Sequence, residues 1–414
     1  MKITFPESVQ RNAEVDEKCQ KTLDTLLNIA RTSSYEHPES FFSFVFDEGY
    51  QKQIQEIVDL KTKKGIPKTV FVVGIGGANL ASKALYGAYT YMQSIVPHER
   101  NMVFLDTTDT DAMKAVEIHA GAFSSSEDFV IVIVTKSGST IETLANSEFL
   151  VAHLEQKFPD VLDRIIVITA LDSLVHKEAK EKGITTALLP KVLSDRFSAF
   201  SPTTLVPLAL FGFSINTYLD SARIAVEKFS GSQKDSLFDS VSLLFDSYQK
   251  GFHILDTWYF ASRLETAGKW HRQLIAESLG KEKTGFTPVV SMGTVDLHSS
   301  LQLDLAGPKE RVTEFVIQEE SSQKIQNAES VDFLDNEITQ KGVQEIKQTI
   351  LNSVMHSYRD ANLPYYTITL PVDHMEAIAH YFVYSMMQTY ILGELFGVNV
   401  FDQPAVESYK TEAR

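Results

Sequence analysis

The sequence predicts an α/β protein of two doubly wound units with mainly parallel sheets, flanked by N-terminal and C-terminal helices. Three observations carry this expectation. Short β-branched runs recur, each nearly continuous in apolar residues, as strands covered on both faces require. Segments long enough for helices separate them. Two of the runs end in loops rich in glycine or hydroxyl residues, at the carboxyl ends of strands where such folds bind ligands.

Residues 1–45 predict an N-terminal helical segment, with Leu23, Leu26, Leu27 and Ala30 at helical spacing. Residues 46–225 form the first expected unit. Its strand runs lie at 69–73, 102–105, 129–134 and 164–168, with helices starting near Leu80 and spanning 142–156. Residues 226–414 form the second. There 236–266 is expected as one long helix, apolar runs lie at 286–290, 314–317 and 366–370, and a strongly apolar helix over 380–396 closes the pattern.

Composition narrows the function. With 43% hydrophobic residues and 22% charged, the 414-residue chain can bury sizeable cores, which excludes disorder as its main state. Lys+Arg 38 against Asp+Glu 54 gives a net charge of −16, so neither nucleic acid nor an anionic membrane is an expected partner. The single cysteine, Cys19, excludes an internal disulfide framework and a multi-cysteine metal site. It fits a reducing, cytoplasmic location. Residues 1–7 lack a signal-peptide core, and the apolar run 205–213 is shorter than the roughly 20 residues of a membrane span.

Several segments could carry chemistry. In Gly74-Ile75-Gly76-Gly77-Ala78-Asn79 the glycines admit a ligand close to the backbone; a tight strand-to-helix turn is the competing reading. A dinucleotide fingerprint fails because its third glycine is Asn79. In Thr135-Lys136-Ser137-Gly138-Ser139-Thr140 several hydroxyls, a lysine and helix N-terminal amides converge, as a phosphate site needs. A plain Ser/Thr helix cap competes with that reading. Taken singly, Glu277 reads as a solvated helix end, His298 as a structural histidine, Arg196 as half of a surface pair with Asp195, and Lys410 as a tail lysine. Asp106, Asp109 and Asp111 lack the glycine of a calcium loop and are expected to cap a helix. No HExxH, GxSxG or Walker A pattern occurs.

Together the motifs GIGGANL, TKSGSTIET, DRFSAFSP, QLIAESLGK, GTVDLHSSLQ and FDQPAVESYK, in this order from about Val70 to Lys410, resemble the glucose-6-phosphate isomerase family in its shorter bacterial form. The resemblance implies two sugar-isomerase-type αβα domains, a homodimer with shared active sites, a sugar-phosphate substrate, and no metal or other cofactor. It implies Glu277 as the base of a cis-enediolate proton transfer and Arg196 as the cation facing the enediolate. His298 and Lys410 would serve ring opening, with His298 reaching the partner's site. Gln273 and Gln403 would line the sugar site, and Gly77, Thr135, Lys136, Ser137 and Thr140 would hold the phosphate. The apolar C-terminal helix is expected to add surface to the dimer. Two alternatives are a non-catalytic sugar-phosphate-binding protein of the same fold and a nicotinamide-dependent oxidoreductase. Ala78, Ser194 and Asp195 depart from the family pattern, and Asp195 is expected to compete for Arg196.

Overall fold

A computed structural model describes residues 1–32, 34–91, 99–319 and 342–406. Its strands are β1 (Lys2–Thr4), β2 (Thr69–Val73), β3 (Asn101–Leu105), β4 (Phe129–Val134), β5 (Ile165–Ala170), β6 (Thr185–Leu189), β7 (Ile254–Tyr259), β8 (Thr287–Met292), β9 (Arg311–Gln318) and β10 (Tyr365–Leu370). One sheet has the order β3-β2-β4-β5-β6, all parallel. The other has the order β1-β10-β9-β7-β8, parallel except for β1. Counted within each unit, the parallel strands of both sheets begin in the order second, first, third, fourth, and the first sheet adds a fifth. Each sheet therefore has a topological switch point between its first and third strands, where α/β folds open a ligand crevice.

Period-two alternation divides the strand side chains among three cores. In β4, Val130, Val132 and Val134 join the large core between the sheets, while Phe129, Ile131 and Ile133 face an outer core of the first unit. In β9, Val312 and Val316 point to the same central core and Phe315 to an outer core of the second unit. The helix His374–Phe396 runs through the middle, with every residue from Ala377 to Gly393 buried. All-round burial explains its continuous apolar character.

Four expectations need correction. The N-terminal segment is not helix alone: β1 pairs antiparallel with β10, and three residues are too few for periodicity to reveal a strand. The expected boundary at 225/226 falls inside the helix Ile215–Ser230, which packs on His374–Phe396 in the shared core. The long helix expected over 236–266 is a helix Lys234–Gln249 followed by β7, the second sheet's first strand. Asp256 in that strand broke the apolar run and masked it. The C-terminal helix buries its apolar stretch Ala377–Gly393 inside its own chain, so that stretch is spent on the core rather than left as dimer surface. The short strand β6 also escaped the sequence reading.

Asp256 is tolerated because a buried polar cluster surrounds it. Its carboxylate accepts from Ser291 Oγ at 2.8 Å, Trp258 Nε1 at 3.2 Å and Arg311 at 3.3 Å. Arg311 also pairs with buried Asp304. Burial, then the Asp304 charge, pushes Asp256 up to about 6. Removing the arginine strands two buried carboxylates, so Arg311→Met should destabilise the fold by about 3–5 kcal/mol. A carboxyl whose folded value is raised binds its proton more readily in the folded state, and the stability this gives is lost as pH rises from about 4 to about 6. The deficit should therefore be larger at pH 8 than at pH 5 in urea unfolding. Equal deficits would assign Arg311 to packing alone.

Candidate active site

The candidate site lies at the switch point of the first sheet. The register Val73↔Ile133 sets the loops after β2 and β4 side by side at the carboxyl edge. A Cβ on Gly74 would stand 3.1 Å from the Val134 carbonyl oxygen, so the two strand ends touch. Gly77 allows a second close approach: a Cβ there would lie 2.4 Å from the Asp195 carbonyl carbon. Ser198 Oγ locks that contact by donating to Gly77 O at 3.0 Å. The glycine loop is thereby fastened to the segment carrying Arg196.

Arg196 is 2% exposed and fully engaged. Its Nε donates to Ser278 Oγ at 3.0 Å. One terminal nitrogen donates to Glu277 Oε2 at 3.0 Å and Gln403 Oε1 at 2.9 Å. The other donates to the carbonyls of Val400 and Asp402, both at 2.7 Å. Burial pulls the guanidinium below its ordinary value, and the Glu277 charge, then that of Asp195, opposes this. The expected surface pair with Asp195 is not what forms: Glu277 is the ion-pair partner of Arg196, and Asp195 lies 3.8 Å from Lys136 Nζ.

Glu277 sits in the last turn of the helix Glu265–Leu279, with its side chain 38% exposed. One turn earlier, Gln273 donates Nε2 to Glu277 Oε1 at 3.0 Å, as i,i+4 spacing allows. Both carboxylate oxygens are thus oriented by donors. Gln273 also faces Gly76, where a Cβ would stand 3.0 Å from its Nε2. Its Oε1 is buried without a hydrogen-bond partner.

In the second loop the plain-cap reading fails. Thr140 occupies the N-cap of the helix Ile141–Glu155 in extended geometry, yet its hydroxyl makes no capping bond. Thr135 is buried and its Oγ1 has no partner. Ser137 Oγ accepts from Ser139 N at 3.2 Å, and Lys136 Nζ donates to Leu193 O at 2.6 Å. Gly138 has φ +70°, and a Cβ there would crowd Ser173, so only glycine turns this corner without strain. Uncommitted hydroxyls beside a helix N-terminus suit a phosphate. Asp109 does cap a helix, accepting from the amides of Asp111 and Ala112, whereas Asp106 instead binds Asn79 and Lys83 behind the glycine loop.

Glu277, Arg196, Gln273 and Gln403 therefore meet in one chain, beside Gly77, while His298 does not join them. Strands β7 and β8 are parallel, so the connecting helix runs back and leaves Glu277 near their N-terminal edge. His298 is exposed and follows the C-terminal end of β8. The twelve helical steps from Glu265 to Glu277 alone span about 18 Å. Lys410 lies outside the described residues. Ser278, which orients Arg196, and the carbonyls of Val400 and Asp402 were not singled out from sequence. Ser278 was visible inside the QLIAESLGK motif, but backbone acceptors leave no side-chain signal. Among the described residues no group of three or more His, Cys, Asp or Glu could hold a metal ion.

No family model matches the chain. Curated relatives do. The chain is 30% identical over 351 residues to the "Probable glucose-6-phosphate isomerase" of Haloarcula marismortui, covering 84% of this chain and 77% of that one. It is 29% identical over 384 residues to the glucose-6-phosphate isomerase of Methanocaldococcus jannaschii, covering 89% and 87%. Among solved structures, a hypothetical protein from Thermus thermophilus superposes with a TM-score of 0.81 at 24% identity over 98% of this chain and 99% of that one. A glucose-6-phosphate isomerase from Chlamydia trachomatis superposes with a TM-score of 0.77 at 16% identity over 99% and 87%. These two likenesses show the fold.

Because Arg196 donates to two segments, the helix end at Glu277–Ser278 and the stretch 400–403, Arg196→Met should loosen the C-terminal one first. Amide exchange over 400–403 should quicken, and unfolding stability should fall by about 2–4 kcal/mol, less than a fully buried pair because Glu277 is partly exposed. Unchanged exchange there would mean that apolar contacts alone hold the segment.

Proposed function

The chain belongs to the glucose-6-phosphate isomerase family, and from that premise we propose that it interconverts glucose 6-phosphate and fructose 6-phosphate at the centre formed by Glu277 and Arg196. The observation that carries this reading is the Glu277 carboxylate, oriented by Gln273 on one oxygen and by the buried Arg196 on the other. A carboxylate held on one face of the sugar can take the proton from C2 and return it to C1 through a cis-enediolate. As Glu277 becomes neutral, the negative charge moves to the enediolate oxygens without leaving the neighbourhood of the guanidinium. A fixed cation meets that displaced charge without reorganising. Thr135, Lys136, Ser137 and Thr140, with Gly77 backbone, would hold the phosphate and fix C1 and C2 over Glu277. None of these roles calls for a metal or nucleotide. The alternative of a binding protein without turnover has no observation in its favour.

Ring opening needs a group that protonates the ring oxygen while the C1 hydroxyl proton is relieved. We assign it to His298, with Lys410 assisting electrostatically. His298 would come from a second subunit of a homodimer. Its own Glu277 lies toward the opposite edge of the sheet, and exposed Val295 (70%) and Leu303 (52%) flank it as apolar contact surface. A cytoplasmic location fits the single, free cysteine, and no helix among the described residues is long and apolar enough to cross a membrane.

A coupled assay with either sugar phosphate tests the reading directly, with activity expected to survive chelator treatment. Glu277→Gln keeps the shape and removes the base, so C2–solvent proton exchange should fall by roughly 10²-fold or more while a substrate analogue still binds. Near-normal exchange would assign the proton transfer to another group.

The shared site has its own test. Inactive Glu277→Gln chains refolded together with inactive His298→Asn chains should recover roughly a quarter of normal activity. About half of the dimers are mixed, and each mixed dimer has one intact site of two. Heterodimers that form yet regain nothing would rule out exchange of His298.

A further inference from the structure

The residues that meet at Arg196 include a short C-terminal strap, 397–406, that follows the central helix. Gly397, in the left-handed region at φ +70°, ends that helix. Val400, 2% exposed, packs so closely against Gly393 that a Cβ there would stand 2.0 Å from its Cγ1. Phe401 packs in tilted geometry among Phe197, Tyr390 and Phe41, with ring centroids 5.3–6.1 Å away. These apolar anchors stop at Phe401. The next two residues bring the polar groups that reach Arg196, the Asp402 carbonyl and the Gln403 side chain.

Lys281 closes the gap. It follows the helix that carries Glu277, and its side chain is only 9% exposed. Its Nζ donates to the carbonyls of Glu277 at 2.9 Å and Ser278 at 3.0 Å, completing the helix C-terminus. The same ammonium lies 3.5 Å from Asp402 Oδ1, while Asn399 Nδ2 holds Asp402 Oδ2 at 3.0 Å. One cation thus bridges the backbone of the proposed base to the strap.

We propose that Lys281 is a positioning residue for the isomerisation: through Asp402 it clips the strap to the end of the helix, so that Gln403 and the fork of Arg196 are held against Glu277. The inference rests on the isomerase reading above. The charged groups facing Lys281 are Arg196 and Glu277 on the site side and Asp402 on the strap. Burial, then repulsion from Arg196, lowers its value to about 8, with Asp402 and Glu277 opposing. As pH rises through about 8 the ammonium becomes an amine, the attraction to Asp402 is lost, and the clip weakens. Activity should therefore have an alkaline limb that belongs to Lys281 although it touches no substrate.

The test compares wild type, Lys281→Met, Lys281→Arg and Asp402→Asn in kcat and KM from pH 6 to 10, together with amide exchange over 397–406. At pH 7, Lys281→Met should lower kcat by roughly tenfold, with KM changed by less than about twofold because the phosphate contacts are untouched. It should also lack the limb near pH 8. Lys281→Arg should restore pH 7 activity and move the limb beyond pH 10. Asp402→Asn should reproduce the kcat loss and the faster strap exchange, and it decides the matter if Lys281→Met does not fold. A limb that persists in Lys281→Met, or an Asp402→Asn enzyme with wild-type kcat, would overturn the proposal. If the wild type does not isomerise the sugar phosphates, the isomerase reading fails on its own. Exchange then decides the clip: faster strap exchange in the variants sustains it, and unchanged exchange overturns it.

Discussion

Burying a guanidinium is tolerable only if its donors find acceptors, and Arg196 draws those acceptors from parts of the chain distant in sequence. Ser278 and Glu277 come from one helix, and Val400, Asp402 and Gln403 from the C-terminal strap. The arginine itself is held by the approach of Gly77 to the Asp195–Arg196 backbone. The buried charge thus demands the association of both units and the strap, and that association builds the site.

The fold supplies the frame for this constraint. Two sheets of the same parallel order pack their inner faces on one helical layer, so the carboxyl edge of the first faces the helix end that carries Glu277. The loops after β2 and β4 meet at the switch point, with glycine wherever backbones touch. Because the core is continuous through His374–Phe396, the two units form one body rather than two lobes on a linker.

Charge is managed locally. A chain with a net charge of −16 repels phosphate at long range, yet the loop after β4 gathers hydroxyls, helix amides and Lys136 at one edge. The buried carboxylates of the second unit are separate from this. Asp256 and Asp304 are offset by Arg311, and Glu314, raised to about 7 by burial, accepts from Tyr366 and Thr257.

The sequence by itself determined the α/β class and most of the strands, because apolar strand runs are local signals, whereas the candidate residues stood out only through the joint resemblance of six motifs to one family. β4 and the helix after it were legible almost to the residue, since six consecutive apolar residues followed by a hydroxyl-rich loop admit few other structures. β1 and β7 were not, being respectively too short and interrupted by an acid whose partners Ser291 and Arg311 lie on neighbouring strands. The ordering of the site was beyond sequence as well. That Arg196 meets Glu277 rather than the adjacent Asp195, and that the strap is tied by Lys281, depends on contacts between residues 81 to 207 positions apart. Only the tertiary structure decided these, because a buried charge takes the acceptors that packing brings to it, and packing is settled by the whole chain at once.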